Sequence, residues 1–112
     1  MTKIVNVRTT GAWFISASIA NTFRSRLAGL LGRQSLPDNT GLILERCNAV
    51  HTIGMRFPID VIFLNADRCV MSITSDLKPG RFARCQGANA VLECNAGVAA
   101  SYGLSPGDAL YW

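Results

Sequence analysis

The sequence contains no long apolar run, few charged residues and a single histidine. No stretch of about 18 uncharged apolar residues occurs, which argues against any membrane span. Charged residues make up 16% of the chain, whereas apolar residues make up 49% and the mean hydropathy is +0.24. This composition excludes a disordered tail and an acidic scaffold, because the apolar residues can form a buried core. The 112 residues therefore predict one globular domain, 1–112.

Lysine is also scarce, since nine of the eleven cationic residues are arginine, and the formal net charge is +4. Arginine makes forked contacts with carboxylates and phosphates, whereas lysine supplies a hydrated point charge. The arginines therefore either bind the protein's own acids or attract an anionic partner. A nucleic acid is the weaker hypothesis, because Arg24 lies on the opposite flank of the predicted helix from Arg26 and Arg33.

The four cysteines, Cys47, Cys69, Cys85 and Cys94, show no Cys-x-x-Cys spacing. With one histidine in the chain, this argues against zinc, and we expect no metal and no other cofactor. The segment Met1–Arg8 lacks the apolar stretch of a secretory signal, which predicts a cytoplasmic protein. In a reducing compartment we expect four free thiols, mostly buried, with Cys47 and Cys94 in β-strands.

Short apolar segments separated by turn residues dominate the chain. Four apolar residues at helical spacing predict an amphipathic helix over 22–32, ended by Gly32, and a short second helix is predicted over 98–102. Many short strands without βαβ alternation predict an α+β fold, a compact and mostly antiparallel β-barrel or roll. The predicted strands are 4–8, 13–19, 42–47, 49–55, 60–65, 69–75, 81–85, 90–94 and 108–112.

The segment from His51 to Asp60 carries the densest set of chemically useful side chains. On an extended strand, His51, Ile53 and Met55 point to one side and Arg56 points to the other. Asp60 opens an apolar run, where a buried carboxylate needs a partner. His51, Arg56 or a backbone N–H group could supply that partner.

Two functional hypotheses and one structural alternative fit this segment. As a binding site, His51, Arg56 and Asp60 line a pocket for an anionic ligand or a partner segment, walled by Met55 and Phe57. In the second hypothesis, the protein is a hydrolase-like enzyme in which His51 acts as a general base oriented by Asp60, and Arg56 stabilises negative charge. Binding is preferred, because no nucleophile motif or phosphate-binding glycine loop accompanies the pair. In the structural alternative, Asp60 caps a turn and His51 is a core histidine.

Glu93 is a second acid among apolar residues, on the predicted strand that also carries Val91 and Leu92. An arginine could pair with it, or the backbone N–H groups at the helix start around 96–98 could bind it. We favour a structural role for Glu93 and include it among the candidate ligand-binding residues.

Four ordered blocks of this sequence resemble a known family. They are Arg26-x-x-Gly29-Leu30-Leu31-x-Arg33-x-x-Leu36 with Gly41-Leu42-Ile43-Leu44, His51-Thr52-x-Gly54-Met55-Arg56-Phe57-Pro58-Ile59-Asp60-Val61-Ile62-Phe63-Leu64, Val91-Leu92-Glu93-x-x-Ala96-Gly97, and Gly103-Leu104-x-x-Gly107-Asp108. Together they cover about residues 26–110 and resemble the bacterial and archaeal "domain of unknown function 192" family. The resemblance implies a β-rich, barrel-like α+β fold and no established activity. This chain departs from the family at Cys69, where a turn glycine is usual, and at Asn95, where proline is common.

The closing segment, residues 103–110, is similar to the last turn of swapped-hairpin DNA-binding domains and double-psi barrels. That likeness supports a barrel more than it supports DNA binding. A weak nucleic-acid binder, acting through arginines and this turn, is therefore kept as a further alternative.

Overall fold

The computed structural model of the chain describes residues 2–8, 13–20, 26 and 30–112. The predicted helix over 22–32 lies largely outside the described residues, but Arg26 and Leu30 are both helical. The second predicted helix is confirmed as α1. The elements are β1 (Thr2–Arg8), β2 (Trp13–Ala20), β3 (Thr40–Glu45), β4 (Ala49–His51), β5 (Ile59–Leu64), β6 (Val70–Leu77), β7 (Phe82–Arg84), β8 (Ala90–Asn95), α1 (Val98–Ser101) and β9 (Ala109–Tyr111).

Seven strands form one sheet in the order β6-β5-β8-β3-β2-β1-β9, and β4 pairs with β7 in a separate two-stranded sheet. The pairs are antiparallel except β2 and β3, which run parallel. A parallel pair needs a crossover of about a dozen residues or more, and residues 21–39 provide it. The sheet is therefore mostly antiparallel, as predicted, with one crossover that contains the helical residues Arg26 and Leu30.

The strand-rich α+β architecture agrees with the sequence prediction, but no closed barrel is found among the described strands. β6 and β9 form the two edges of the seven-stranded sheet. These edges meet at an isolated bridge between Cys69 and Ala109, and the N–H of Leu110 donates to the carbonyl of Arg68 at 2.9 Å. The sheet is therefore curved enough for its edges to touch at one place.

The central strands of the large sheet are buried on both faces. On β5, Ile62 and Leu64 pack into one apolar cluster, and Val61 and Phe63 pack into another. We call the first side the helix face and the second the small-sheet face. Burial on both sides explains the continuous apolar run of β5. The covering residues include Ala99, Leu104 and Leu110 on the helix face, and Leu30, Leu36, Val50 and Ala83 on the small-sheet face.

The predicted strand over 49–55 is too long, since β4 ends at His51. Gly54 has a φ of +85°, and a Cβ built there would lie 3.3 Å from Cδ2 of Leu31. The chain turns at this glycine, which leaves Ile53 exposed and Met55 buried. The expected common side for His51, Ile53 and Met55 is therefore wrong.

The cysteines are free thiols, but only Cys94 is buried, so the expectation of mostly buried cysteines is wrong. Cys94 lies in β8 as predicted. Cys47 lies beyond the end of β3, because the backbone of Arg46 turns at a φ of +54°. Burial and the nearby carboxylates of Asp60 and Glu93 raise the pKa of the Cys94 thiol, which makes it a poor nucleophile.

Candidate functional site

The outer face of the two-stranded sheet carries the histidine of the chain. His51 lies opposite Phe82 in the ladder between β4 and β7, and the two ring centroids are 6.0 Å apart. Val50 and Ala83 are buried against the large sheet, so the alternating residues His51, Phe82 and Arg84 face outward. The side chain of Phe82 is 73% exposed. An aromatic ring is therefore presented to solvent directly beside the imidazole.

Thr52 fixes the loop that leads into β7. Its buried hydroxyl donates to the carbonyl of Lys78 at 2.6 Å and accepts from the N–H of Arg81 at 2.9 Å. Its backbone N–H donates to the carbonyl of Arg81 at 2.9 Å, and its carbonyl accepts from the N–H of Gly80 at 3.0 Å. This role of Thr52 was not predicted from the sequence. The available signal was a polar residue inside the dense motif, but nothing in the sequence connects that position with residues 78–81.

His51 is held as a neutral imidazole. Its Nδ1 accepts a hydrogen bond from the backbone N–H of Ile53 at 3.2 Å. A ring nitrogen that accepts carries no proton, so the neutral ring is protonated at Nε2. Partial burial and the positive charge of Arg26 lower the pKa of His51. Both effects favour the neutral form of the imidazole.

Backbone N–H groups on the helix face bind the buried carboxylate of Asp60. Oδ2 accepts from the N–H groups of Gly97 and Ala99, both at 3.0 Å, and Oδ1 accepts from the N–H of Asp76 at 2.9 Å. Of the three partners considered for Asp60, the backbone is the one observed. Asp60 thereby joins β5 to the start of α1 and to β6.

The structure does not bring His51 and Asp60 together. Asp60 shares the helix face with Ile62, because both alternate with the residues of β5 that face the small sheet. His51 lies on β4, which covers the opposite face of the large sheet. The described hydrogen bonds of Asp60 do not include His51, so the geometry does not support the acid–base pair of the hydrolase hypothesis.

Glu93 forms a buried, two-pronged ion pair with Arg26 on the small-sheet face. Nε of Arg26 donates to Oε1 at 2.6 Å, and Nη2 donates to Oε2 at 2.9 Å. The pKa of Glu93 is raised above its ordinary value, because the effect of burial exceeds the opposing effect of the hydrogen bonds and charge of Arg26. An arginine was one of the two partners considered for Glu93, while the helix-start N–H groups bind Asp60 instead. Nη1 of Arg26 is buried and has no hydrogen-bond partner among the described residues.

The other predicted site residues separate into core and surface. Met55 and Phe57, the expected pocket walls, are buried in the cluster on the small-sheet face. Phe57 also borders a shallow depression of about 190 Å³ beside Pro58 and Asn95. Arg56 is exposed to solvent. In the part of the chain that the structure describes, no three His, Cys, Asp or Glu side chains could hold a metal ion together, and no helix is long and apolar enough to cross a membrane.

His51 therefore lies on a small sheet that carries exposed apolar and cationic residues, and it does not form an enclosed pair with Asp60. Ile53, whose N–H binds the imidazole, is 53% exposed. Arg81 and Arg84 flank Phe82 in the sequence and are exposed. We call these five residues, His51, Ile53, Arg81, Phe82 and Arg84, the His51 surface. The apolar and cationic side chains of this surface are suited to bind a partner that carries an anionic group next to an apolar group.

Comparison with known proteins places these features in a family. The family model DUF192, described as "Uncharacterized ACR", matches residues 5–112. A UPF0127 protein of Pyrococcus furiosus is 36% identical over an alignment of 107 residues. The match covers 88% of this chain and 87% of that protein. The crystal structure of a protein of unknown function from Novosphingobium aromaticivorans has a TM-score of 0.89 at 32% identity, covering 99% of this chain and 85% of its own. A structure from Sinorhizobium meliloti, described as a "putative transcription regulator", shows the same fold with a TM-score of 0.89 at 22% identity, covering 99% and 93%.

Proposed function

Since the chain belongs to the DUF192 family, whose function is uncharacterised, we propose a function from its own surface chemistry. The domain binds an acidic protein segment that carries an apolar side chain, and the His51 surface is the binding site. One observation carries this proposal: the ring of Phe82 is 73% exposed beside His51, and Arg84, which lies on the same face of β7, is exposed as well.

The composition of the His51 surface matches that of protein-binding sites. Aromatic residues and arginine are enriched in interfaces, and such residues often contribute most of the binding energy. The Phe82 ring and the Ile53 side chain offer apolar area, while Arg81 and Arg84 offer forked donors for carboxylates. Charge complementarity therefore favours an acidic segment over a basic one.

The small sheet supports binding because its surface is organised in advance. The four hydrogen bonds of Thr52 hold the segment before Phe82, and the hydrogen bond to Nδ1 of His51 holds Ile53. A surface that is rigid before binding loses less conformational entropy when a partner docks. His51 is thus a positioning residue in this proposal, and Phe82 and the arginines make the contacts.

Fluorescence anisotropy with labelled peptides tests the proposal. The probes are short peptides of Glu with Phe and Leu, of Lys with Phe and Leu, and of Glu with Ser. We expect the Glu-Phe-Leu peptide to bind most tightly, and the Phe82→Ser variant to lose about tenfold or more in affinity. The matched control is Tyr111→Ser, which removes an aromatic side chain that is 47% exposed on β9. Equal affinity of Phe82→Ser and wild type, or tighter binding of the Lys peptide, would contradict the proposal.

The described arginines do not favour nucleic acid as the partner. Arg26 is buried against Glu93, and the guanidinium carbon of Arg68 lies 3.8 Å from the ring centroid of Trp112. Arg33 lines a separate cavity beside β2 and β3. Duplex DNA binding with a steep dependence on salt concentration would favour the alternative, because phosphate contacts release counterions.

We also place the domain in the cytoplasm. Cys47, Cys69 and Cys85 are half-buried free thiols, so each retains some access to oxidants. Such thiols persist most readily in a reducing compartment.

A further inference from the structure

A second candidate site lies in a cavity of about 290 Å³ between β2, β3 and the loop that follows Leu30. None of the residues that line it belongs to the His51 surface. Ile19, Ala20, Leu36 and Leu42 supply apolar walls, and Ser18 and Arg33 supply polar groups. The cavity therefore combines an apolar interior with one cationic side chain, a combination that is typical of small-molecule sites.

The loop that forms one wall of the cavity is fixed by Asn95. The side-chain oxygen of Asn95 accepts from the N–H of Leu36 at 2.9 Å, and its Nδ2 donates to the carbonyl of Leu36 at 2.8 Å. The next part of the loop is held by hydrogen bonds from the N–H of Ser16 to the carbonyl of Asn39, at 2.8 Å, and from the hydroxyl of Tyr102 to Oδ1 of Asn39, at 2.6 Å. The wall is therefore formed before any ligand binds.

Arg33 is the group that selects the charge of a ligand. Its side chain is exposed, and it makes no hydrogen bond or ion pair with any residue in the described ranges. The guanidinium of Arg26, in contrast, is already bound to the buried Glu93. A planar guanidinium without a partner among the described residues is suited to a carboxylate, which it can bind through two parallel hydrogen bonds.

We propose that this cavity binds a small monocarboxylate with an apolar tail. The carboxylate pairs with Arg33 at the polar side, and the tail packs against Leu36 and Leu42. Liquid water occupies about 30 Å³ per molecule, so the cavity volume corresponds to a ligand of roughly ten non-hydrogen atoms. Straight-chain and aryl-substituted acids of this size are the ligand class.

Isothermal titration calorimetry with octanoate tests the proposal, with octylammonium, octanol and acetate as comparison ligands. We expect octanoate to bind with one molecule per chain, and acetate and octylammonium to bind at least about tenfold more weakly, because each lacks one of the two contacts. Arg33→Gln lowers the octanoate affinity by about tenfold or more. The matched control is Arg46→Gln, because Arg46 is exposed but lies in a different depression, with Glu45 and Trp112.

A second variant separates loss of the site from loss of the fold. Ser18 is exposed on β2 and lines the cavity, so Ser18→Phe fills the space while leaving the buried core unchanged. We expect this variant to keep its unfolding midpoint and to lose octanoate binding, whereas Phe82→Ser keeps octanoate binding. Octanoate binding that survives both Arg33→Gln and Ser18→Phe, octylammonium binding as tightly as octanoate, or more than one octanoate per chain would overturn the proposal.

Discussion

Two buried carboxylates on neighbouring strands are compensated in opposite ways. In the ladder between β5 and β8, Asp60 pairs with Cys94, and the next residue, Val61, pairs with Glu93. The two acids therefore occupy successive positions of this ladder. The pleat sends them to opposite faces of the sheet. Asp60 is bound by three backbone N–H groups, whereas Glu93 is bound by the guanidinium of Arg26.

The difference shows that burial of an acid does not by itself indicate catalysis. The backbone N–H groups at the start of α1 need an acceptor in any case. Burial of Asp60 therefore brings only one charge into the core. Glu93 requires a second buried charge, and one nitrogen of Arg26 has no hydrogen-bond partner within the described part of the chain. We therefore expect the two acids to differ in how much stability is lost when each is replaced.

The largest effect is expected for Glu93→Leu. This change leaves the buried guanidinium of Arg26 without a counter-ion and lowers the free energy of unfolding by about 3–5 kcal/mol. Adding Arg26→Met to that variant removes the stranded charge, and the double variant regains most of the loss. Urea denaturation of the wild type, both single variants and the double variant measures this coupling. Simply additive losses would show that the pair is not coupled, and the comparison with Asp60 would fail.

A smaller loss, of about 2–3 kcal/mol, is expected for Asp60→Asn. The amide group of asparagine turns N–H atoms toward backbone donors that need an acceptor, which lowers the stability. The loss is limited because solvent can reach these donors when the start of α1 frays. Amide hydrogen exchange should become faster at Gly97, Ala99 and Asp76, the three donors to the carboxylate. Asp108→Asn is the control, because its half-buried carboxylate accepts one bond, from the N–H of Ser105. Unchanged exchange at the three amides would contradict the structural role of Asp60.

The smallest expected effect is a pH dependence due to His51, on the same side of the large sheet as Glu93. The folded pKa of His51 is lowered, so the unfolded chain binds the proton more readily. Stability therefore decreases as the pH falls through about 6.5, the ordinary pKa of histidine. The difference between wild type and His51→Gln, measured by urea denaturation from neutral to mildly acidic pH, isolates this contribution. We expect the stability of wild type minus that of His51→Gln to decrease as the pH falls. A difference that is independent of pH, or that increases as the pH falls, would contradict it.

The strands were largely predictable, because local patterns determine them. The apolar run of β5, the alternation on β2 and the turn residues at 65–68 all indicate their structures without reference to distant residues. The parallel pairing of β2 with β3 was not predictable from such patterns, since it depends on how the crossover of residues 21–39 packs.

The partners of the two acids could be named only as alternatives. The donors to Asp60 lie as far as 39 residues along the chain, and Arg26 lies 67 residues from Glu93. No sequence spacing connects residues so far apart, so the face on which each acid lies had to come from the structure. His51 was expected on a strand, and it lies at the end of β4. Phe82 escaped notice because its neighbour across the ladder belongs to another segment.

The position of β8 determines when the protein can assemble during synthesis. β8 lies between β3 and β5 in the sheet, although it follows both in the chain. Until residues 90–95 have left the ribosome, β3 and β5 each expose an unpaired edge of apolar strand, and neither can complete its pairing. A nascent chain halted before this point therefore exposes two unpaired strand edges, at which chaperones can bind and other chains can aggregate. For this fold, a strand that is made after β3 and β5 decides whether those two strands become part of one sheet.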